Sequence, residues 1–134
     1  MKEVELTLEA AAEKAGQLLN AEIELQAGKV CFKKQRRLEI QTDSNCFICT
    51  LDLDISFERF QDDGFAFNQA EIFLLPEEVS VFTCALSGHS LLFPTEYRQW
   101  TTLNPNIASV CMEATEPPAY FAERLSAALQ AFDQ

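Results

Sequence analysis

From Lys29 to Ile55 apolar and polar residues alternate with a period of two, and this pattern constrains the fold of the chain more than any other feature. Successive side chains of a strand point to opposite faces of a sheet, so alternation sorts them into two sets. In Cys46–Ile55 one set is Phe47, Cys49, Leu51, Leu53 and Ile55, and the other is Ile48, Thr50, Asp52 and Asp54. In Leu38–Thr42, Leu38, Ile40 and Thr42 stand against Glu39 and Gln41. A strand at Lys29–Lys33, with turns at Lys34–Arg37 and Asp43–Asn45, completes a three-stranded meander. One face of such a sheet is buried and the other wetter, as antiparallel sheets allow.

Helical spacing brackets the meander. Leu8, Ala11, Ala12, Ala15, Leu18 and Leu19 form one stripe over residues 7–19, with Thr7 as N-cap and Glu9 in the first turn. Gly16 weakens the second half of that helix by about 1 kcal/mol relative to Ala. Residues 56–75 carry Phe57, Phe60, Phe65, Phe67 and Phe73 without a sustained period and read as an irregular, Phe-rich insertion. Pro76-Glu77-Glu78 predicts a helix through Leu86 that ends at Gly88, although Val79, Val81, Phe82 and Thr83 would also suit a strand. Two strands follow, near Ser90–Tyr97 and Ile107–Ala114, split by Asn104-Pro105-Asn106, and Pro94 makes the first an edge strand or ends it early. A last helix opens at Pro118 and carries Phe121, Leu125, Ala128, Leu129 and Phe132 on one stripe. The expected fold is α+β: an antiparallel sheet of about five strands flanked by N-terminal, middle and C-terminal helices.

Size and charge narrow the function. At 134 residues the chain holds one domain, 1–134, with a real core. A net charge of −11 and a pI near 4.4 argue against nucleic acid, whose phosphates call for a positive field. No apolar stretch reaches the length of a membrane span, and Met1–Glu5 has no signal-peptide core. Five Cys at irregular spacings suit reduced thiols in the cytoplasm.

Candidate chemistry is sparse. His89, the only histidine, lies between Ser87-Gly88 and Ser90, where neighbours in a turn rarely adopt nucleophile–base geometry. Cys46 and Cys49 have CxxC spacing, but in a strand they point to opposite faces. No second Cys pair or His pair accompanies them to complete a zinc site. Asp52 and Asp54 share a face about 7 Å apart, and Asp62-Asp63 precedes Gly64; both read as solvated carboxylates. No cofactor or metal is implied, and the chain is not expected to be an enzyme.

Five of the ten cations fall between Lys29 and Arg37, where they keep an edge soluble or orient a partner. Eleven Phe in so small a chain exceed what a sheet and two helices readily bury, which points to a partner surface.

The order of elements, the small size and the acidity resemble the class I effector chaperones of type III secretion systems, the Tir-chaperone type. The likeness rests on Ala12-Glu13-Lys14-Ala15-Gly16 at the end of a first helix, on the strands at Val30-Cys31-Phe32, Leu38–Thr42 and Cys46–Ile55, and on the amphipathic helix Pro118–Phe132. Residues 56–75 depart from the family's pattern. The resemblance implies a cytoplasmic homodimer around which the extended N-terminal segment of a secreted effector wraps before export. It places client contacts at Leu8, Leu18, Leu19, Ile23, Phe32, Leu38, Ile40 and Ile48. It places the dimer interface at Val79, Val81, Phe82, Leu91 and Phe93. The competing reading is an acidic inhibitor or immunity-type protein that binds a folded basic partner through its carboxylates.

Overall fold

The computed structural model describes residues 7–104 and 106–131. Helix α1 (Leu8–Leu19) starts where Thr7 Oγ1 accepts a hydrogen bond from the Ala10 N–H (3.0 Å). It is followed by β1 (Glu22–Gln26), β2 (Lys29–Gln41), β3 (Cys46–Glu58) and β4 (Ala66–Leu74). A 3-10 turn at Pro76–Glu78 leads into α2 (Val79–Ser87), and β5 (Tyr97–Leu103), β6 (Ala108–Glu116) and α3 (Pro118–Gln130) complete the chain. The six strands form one antiparallel sheet in the order β1-β2-β3-β4-β6-β5. The fold is therefore α+β with helices at the start, middle and end, as expected, and its sheet has six strands rather than about five.

One face of the sheet makes the core. Val30 and Phe32 of β2, Leu53, Ile55 and Phe57 of β3, Ala66, Ala70, Ile72 and Leu74 of β4, and Val110, Met112 and Ala114 of β6 are all buried there. They pack with Ala12, Ala15 and Leu19 of α1, Phe82 and Leu86 of α2, and Phe121, Leu125, Ala128 and Leu129 of α3. The helices thus cover this face alone. The other face, alternate by alternate, carries no helix among the described residues. None of the described helices is long and apolar enough to cross a membrane.

Several sequence expectations are corrected. The turn at Lys34–Arg37 does not exist; β2 runs unbroken for 13 residues. The reason is phase: Val30, Phe32, Leu38 and Ile40 are all even-numbered, so the cationic middle interrupts the composition but not the alternation. The strand β1 was missed. It is joined to β2 by a two-residue turn whose central residues, Ala27 (φ 39°) and Gly28 (φ 81°), both have positive φ, as a hairpin turn of the primed type requires. The Phe-rich 56–75 region is not an irregular insertion: β3 continues to Glu58, and β4 fills much of the rest. Its period was hidden because the outward residues, Phe67 and Phe73, are as apolar as the inward ones.

At Ser90–Tyr97 the expected strand is absent and the chain is irregular until β5 begins at Tyr97. The open helix-or-strand alternative at 79–86 resolves to helix. Pro105 and Phe132 lie outside the described residues.

Beyond the body of the sheet, β2 and β3 continue as a two-stranded arm. β1 pairs only with Lys29–Lys33, and β4 only with Asp54–Glu58, so Lys34–Gln41 and Cys46–Leu53 have each other alone. The arm is fastened by Arg36. Its guanidinium donates to the Phe73 carbonyl (3.0 Å) and, in a two-pronged pair, to both oxygens of Glu78 (2.9 Å each). The Glu78 carboxylate also accepts the Leu75 N–H (2.9 Å), which ties the start of α2 to the same fastening.

Burial opposes the charge on Glu78, but the hydrogen bonds from Arg36 and Leu75 and the Arg36 charge outweigh it and hold the carboxyl below its ordinary 4.5. A carboxyl lowered by folding adds stability that is complete above its unfolded value and is lost as pH falls through its folded one. Arg36→Ala is expected to cost about 2 kcal/mol at neutral pH. It is also expected to flatten the loss of stability below pH 4.5. Urea unfolding of both proteins at neutral pH and at acid pH below that value checks this; an unchanged acid slope in the variant would count against it.

Candidate polypeptide-binding surfaces

Helix α1 presents its small residues to the core and leaves its end free to meet β1. Gly16 is the close point: a Cβ there would lie 3.0 Å from Cδ1 and Cγ1 of Ile23 and 3.3 Å from the Ala21 carbonyl oxygen, so a larger residue would push the Ile23 side chain aside. The helix closes with Asn20 in the left-handed region (φ 54°), its N–H donating to the Gln17 carbonyl (3.2 Å). The Ala21 N–H donates to the Gly16 carbonyl (3.0 Å). These bonds turn the chain directly into β1.

β1 is an edge strand, paired with β2 only. Ile23 lies opposite Phe32 and Leu25 opposite Val30, so both point to the helix side of the sheet. Yet they remain 42% and 66% exposed. Between Ile23 and α1 runs a groove of about 410 Å³ lined by Glu13, Gly16, Gln17, Asn20, Ala21, Glu22 and Ile23, and Leu25 lies farther along the strand, outside it. An apolar pair beside an open strand edge is a surface on which an extended chain can add main-chain hydrogen bonds and bury alternate side chains.

The residues expected to hold a client are not gathered in one place. Ile23 lines this groove, while Leu18 and Leu8 are half-buried on α1 and pack on the core. Leu19, Phe32, Leu38 and Ile40 are buried within the chain itself. Ile48 is half-exposed on the arm, on the opposite face, which it shares with Asp52 and Asp54. Leu25, the most exposed apolar residue of β1, was not among the expected contacts. Its signal was the alternation Glu22-Ile23-Glu24-Leu25-Gln26 ahead of Ala27-Gly28.

The expected interface residues divide in the same way. Val81 is 43% exposed on α2, Val79 is half-buried, and Phe82 is fully enclosed. Leu91 and Phe93 belong to the irregular segment after α2, and that segment is organised by a residue the sequence did not single out. Arg124 of α3 is buried and forms a two-pronged pair with Glu116, Nη1 to Oε2 at 2.9 Å. Its Nε donates to the Leu91 carbonyl (3.2 Å) and its Nη2 to the Leu92 carbonyl (3.4 Å). The guanidinium lies over the Phe93 ring (5.1 Å), which stacks on Tyr97 with centroids 4.0 Å apart. Burial pushes the Tyr97 hydroxyl up to about 12 against the opposing charge of Arg124, and Glu116 adds a smaller push in the same direction as burial. The buried Asn68 side chain donates to the carbonyls of Ala66, Ala114 and Glu116 (3.1, 3.1 and 2.9 Å) and steadies the same corner.

The groups with chemical potential are engaged elsewhere. His89 Nδ1 accepts the Leu91 N–H (2.9 Å), and Ser87 Oγ donates to the Thr83 carbonyl (3.0 Å), so the two do not pair with each other. Cys46 and Cys49 lie opposite Gln41 and Leu38 and therefore on different faces. Burial raises the thiols of Cys31 and Cys111 above their ordinary value, away from thiolate reactivity. Asp52 accepts from Gln35 Nε2 (2.7 Å), and Asp63 accepts the Phe65 N–H (3.0 Å) in its turn. Among the described residues no group of three or more His, Cys, Asp or Glu side chains is placed to hold a metal ion. The cationic cluster is split between faces, Lys29, Lys33 and Arg37 on one and Lys34 and Arg36 on the other. What this arrangement offers is surface: two open sheet edges, a groove beside one of them and an uncovered sheet face. No protein-family model matches the chain, and searches of curated proteins and of solved structures find no significant match.

Proposed function

We propose that the chain is a non-catalytic binding protein that takes up an extended segment of another polypeptide as an added strand along β1. Its chaperone-like client, in this reading, is the N-terminal segment of a secreted effector, held in the cytoplasm before export. The observation that supports it is an open edge strand that carries two exposed apolar side chains, Ile23 and Leu25, the first of which lines the groove against α1. Each leucine-sized client side chain buried there would contribute about 1.5–3 kcal/mol. The reading includes a homodimer that docks through α2 around the exposed Val81.

The test uses short unstructured peptides of alternating apolar and polar residues, followed by fluorescence anisotropy. Binding is expected to persist in about 0.5 M salt, since apolar burial is not screened. Ile23→Asp with Leu25→Asp is expected to weaken binding about tenfold or more while leaving the fold intact, because both side chains are exposed. An affinity unchanged by this double substitution, or one abolished by salt, would contradict the proposal.

A further inference from the structure

The two edges of the sheet, β1 and β5, complement each other in direction, backbone phase and charge. Five antiparallel pairings separate them, so they run in opposite directions. A second copy set beside the first, with its helices on the same side, therefore brings its β5 antiparallel to β1.

The open backbone groups are also in phase. Gln26 and Lys29 flank the two-residue turn and bond each other, so Glu24 and Glu22 also turn their N–H and C=O groups to β2. By alternation Ile23 and Leu25 turn theirs outward. At the other edge the Glu96 carbonyl accepts the Thr115 N–H (3.1 Å), so Arg98, Trp100 and Thr102 face β6. Tyr97, Gln99, Thr101 and Leu103 are left facing outward.

Charge selects the register. On the face away from the helices β1 carries Glu22 and Glu24 and no cation, whereas β5 carries Arg98 and no acid. Setting Arg98 opposite Glu24 also sets Tyr97 opposite Leu25 and Gln99 opposite Ile23, so outward backbone groups meet outward ones. Within each copy Glu24 already holds Lys33 (3.3 Å) and Arg98 already holds Glu113 (3.3 Å). Joined, they make one row, Lys33–Glu24–Arg98–Glu113, that alternates in sign across the contact and gives each inner charge two opposite neighbours. A contact between two β1 strands centred on Glu24 would set like charges against each other.

We propose that β1 of one copy takes β5 of a second copy as its added strand, head to tail, so that self-association and client uptake compete for one edge. The inference rests on the open β1 edge used in the reading above, but not on any client. β1 is only five residues long, so the contact is small and forms at high protein concentration. A head-to-tail contact leaves β1 free at one end and β5 at the other, so the mass climbs past two copies as concentration rises.

Sedimentation of the Val81→Glu chain tests this without a contribution from α2. Glu22→Lys with Glu24→Lys, added to that chain, makes both edges basic, and Arg98→Glu makes both acidic. All three positions are exposed, and their surface ion pairs contribute no more than about 1 kcal/mol to stability. Each variant alone is expected to associate about tenfold or more weakly than its parent, and an equal mixture is expected to associate again. If either fails to fold, Leu25→Pro and Gln99→Pro each remove an outward N–H instead. Each is then expected to stay monomeric alone, and the mixture to stop at one-to-one pairs. A mixture that gains no mass, or a single variant that associates as its parent does, would overturn the proposal. Peptide anisotropy on the dilute monomer tests the client reading by itself, so rescue without peptide binding sinks that reading alone, and peptide binding without rescue sinks this inference alone.

Discussion

Arg124→Ala is expected to cost about 3–5 kcal/mol of folding stability, because it leaves the Glu116 carboxylate buried without its partner. Both side chains are nearly inaccessible, at 2% and 3%. The same substitution strips the Leu91 and Leu92 carbonyls of their donor and the Phe93 ring of its cation, so the segment between α2 and β5 should loosen as well. Against a typical total of about 5–15 kcal/mol, the loss leaves a marginal protein. Urea unfolding measures it, and a cost under about 1 kcal/mol would contradict the assignment. Arg124→Met combined with Glu116→Leu should recover much of the loss, since a buried pair exchanged for apolar groups is often neutral.

Phe82→Ala is expected to cost about 3–5 kcal/mol, whereas Val81→Glu, one residue away, should change stability by no more than about 0.5 kcal/mol. The first removes a ring fully enclosed among α2, α3 and the sheet; the second adds charge to a side chain that is 43% exposed. If two copies associate through α2, Val81→Glu should shift the mass in solution from dimer to monomer, and its melting temperature should match the parent chain's at dilutions where the parent is itself monomeric. Sedimentation equilibrium together with thermal unfolding separates the two effects. Phe82→Ala that dissociates copies without lowering stability would contradict its place in the core.

What the sequence disclosed and what it concealed follow from how each side chain is used. α1 and α3 were legible because each has one apolar stripe and a clear start, Thr7 for the first and Pro118 for the second. β3 was legible because its inward residues are apolar and its outward ones include Thr50, Asp52 and Asp54. β4 was not, because Phe67 and Phe73 face outward while Asn68 faces inward, so hydropathy no longer tracks the face. Asn68 belongs inside only because three carbonyls await it, a tertiary fact. Arg124 is the same case. A cation within an amphipathic helix reads as surface until its partner, Glu116, is brought beneath it by the turn from β6 into α3. The Ser90–Tyr97 strand failed because the carbonyls of Leu91 and Leu92 are given to Arg124 rather than to a neighbouring strand. As for the candidate surfaces, Ile23 was legible, but Leu25 and the β5 edge depend on which strands end the sheet and which lie side by side. That order is set by the crossing that places β6 between β4 and β5.

Hydrogen exchange on the chain saturated with the tightest-binding alternating peptide tests the central claim most directly. If an extended segment adds to the sheet along β1, the amides of Glu22–Gln26 gain protection, and those at the end of α1 beside Gly16 slow with them. Protection confined to α2 or to the arm, with β1 exchanging as freely as in the unbound chain, would contradict it.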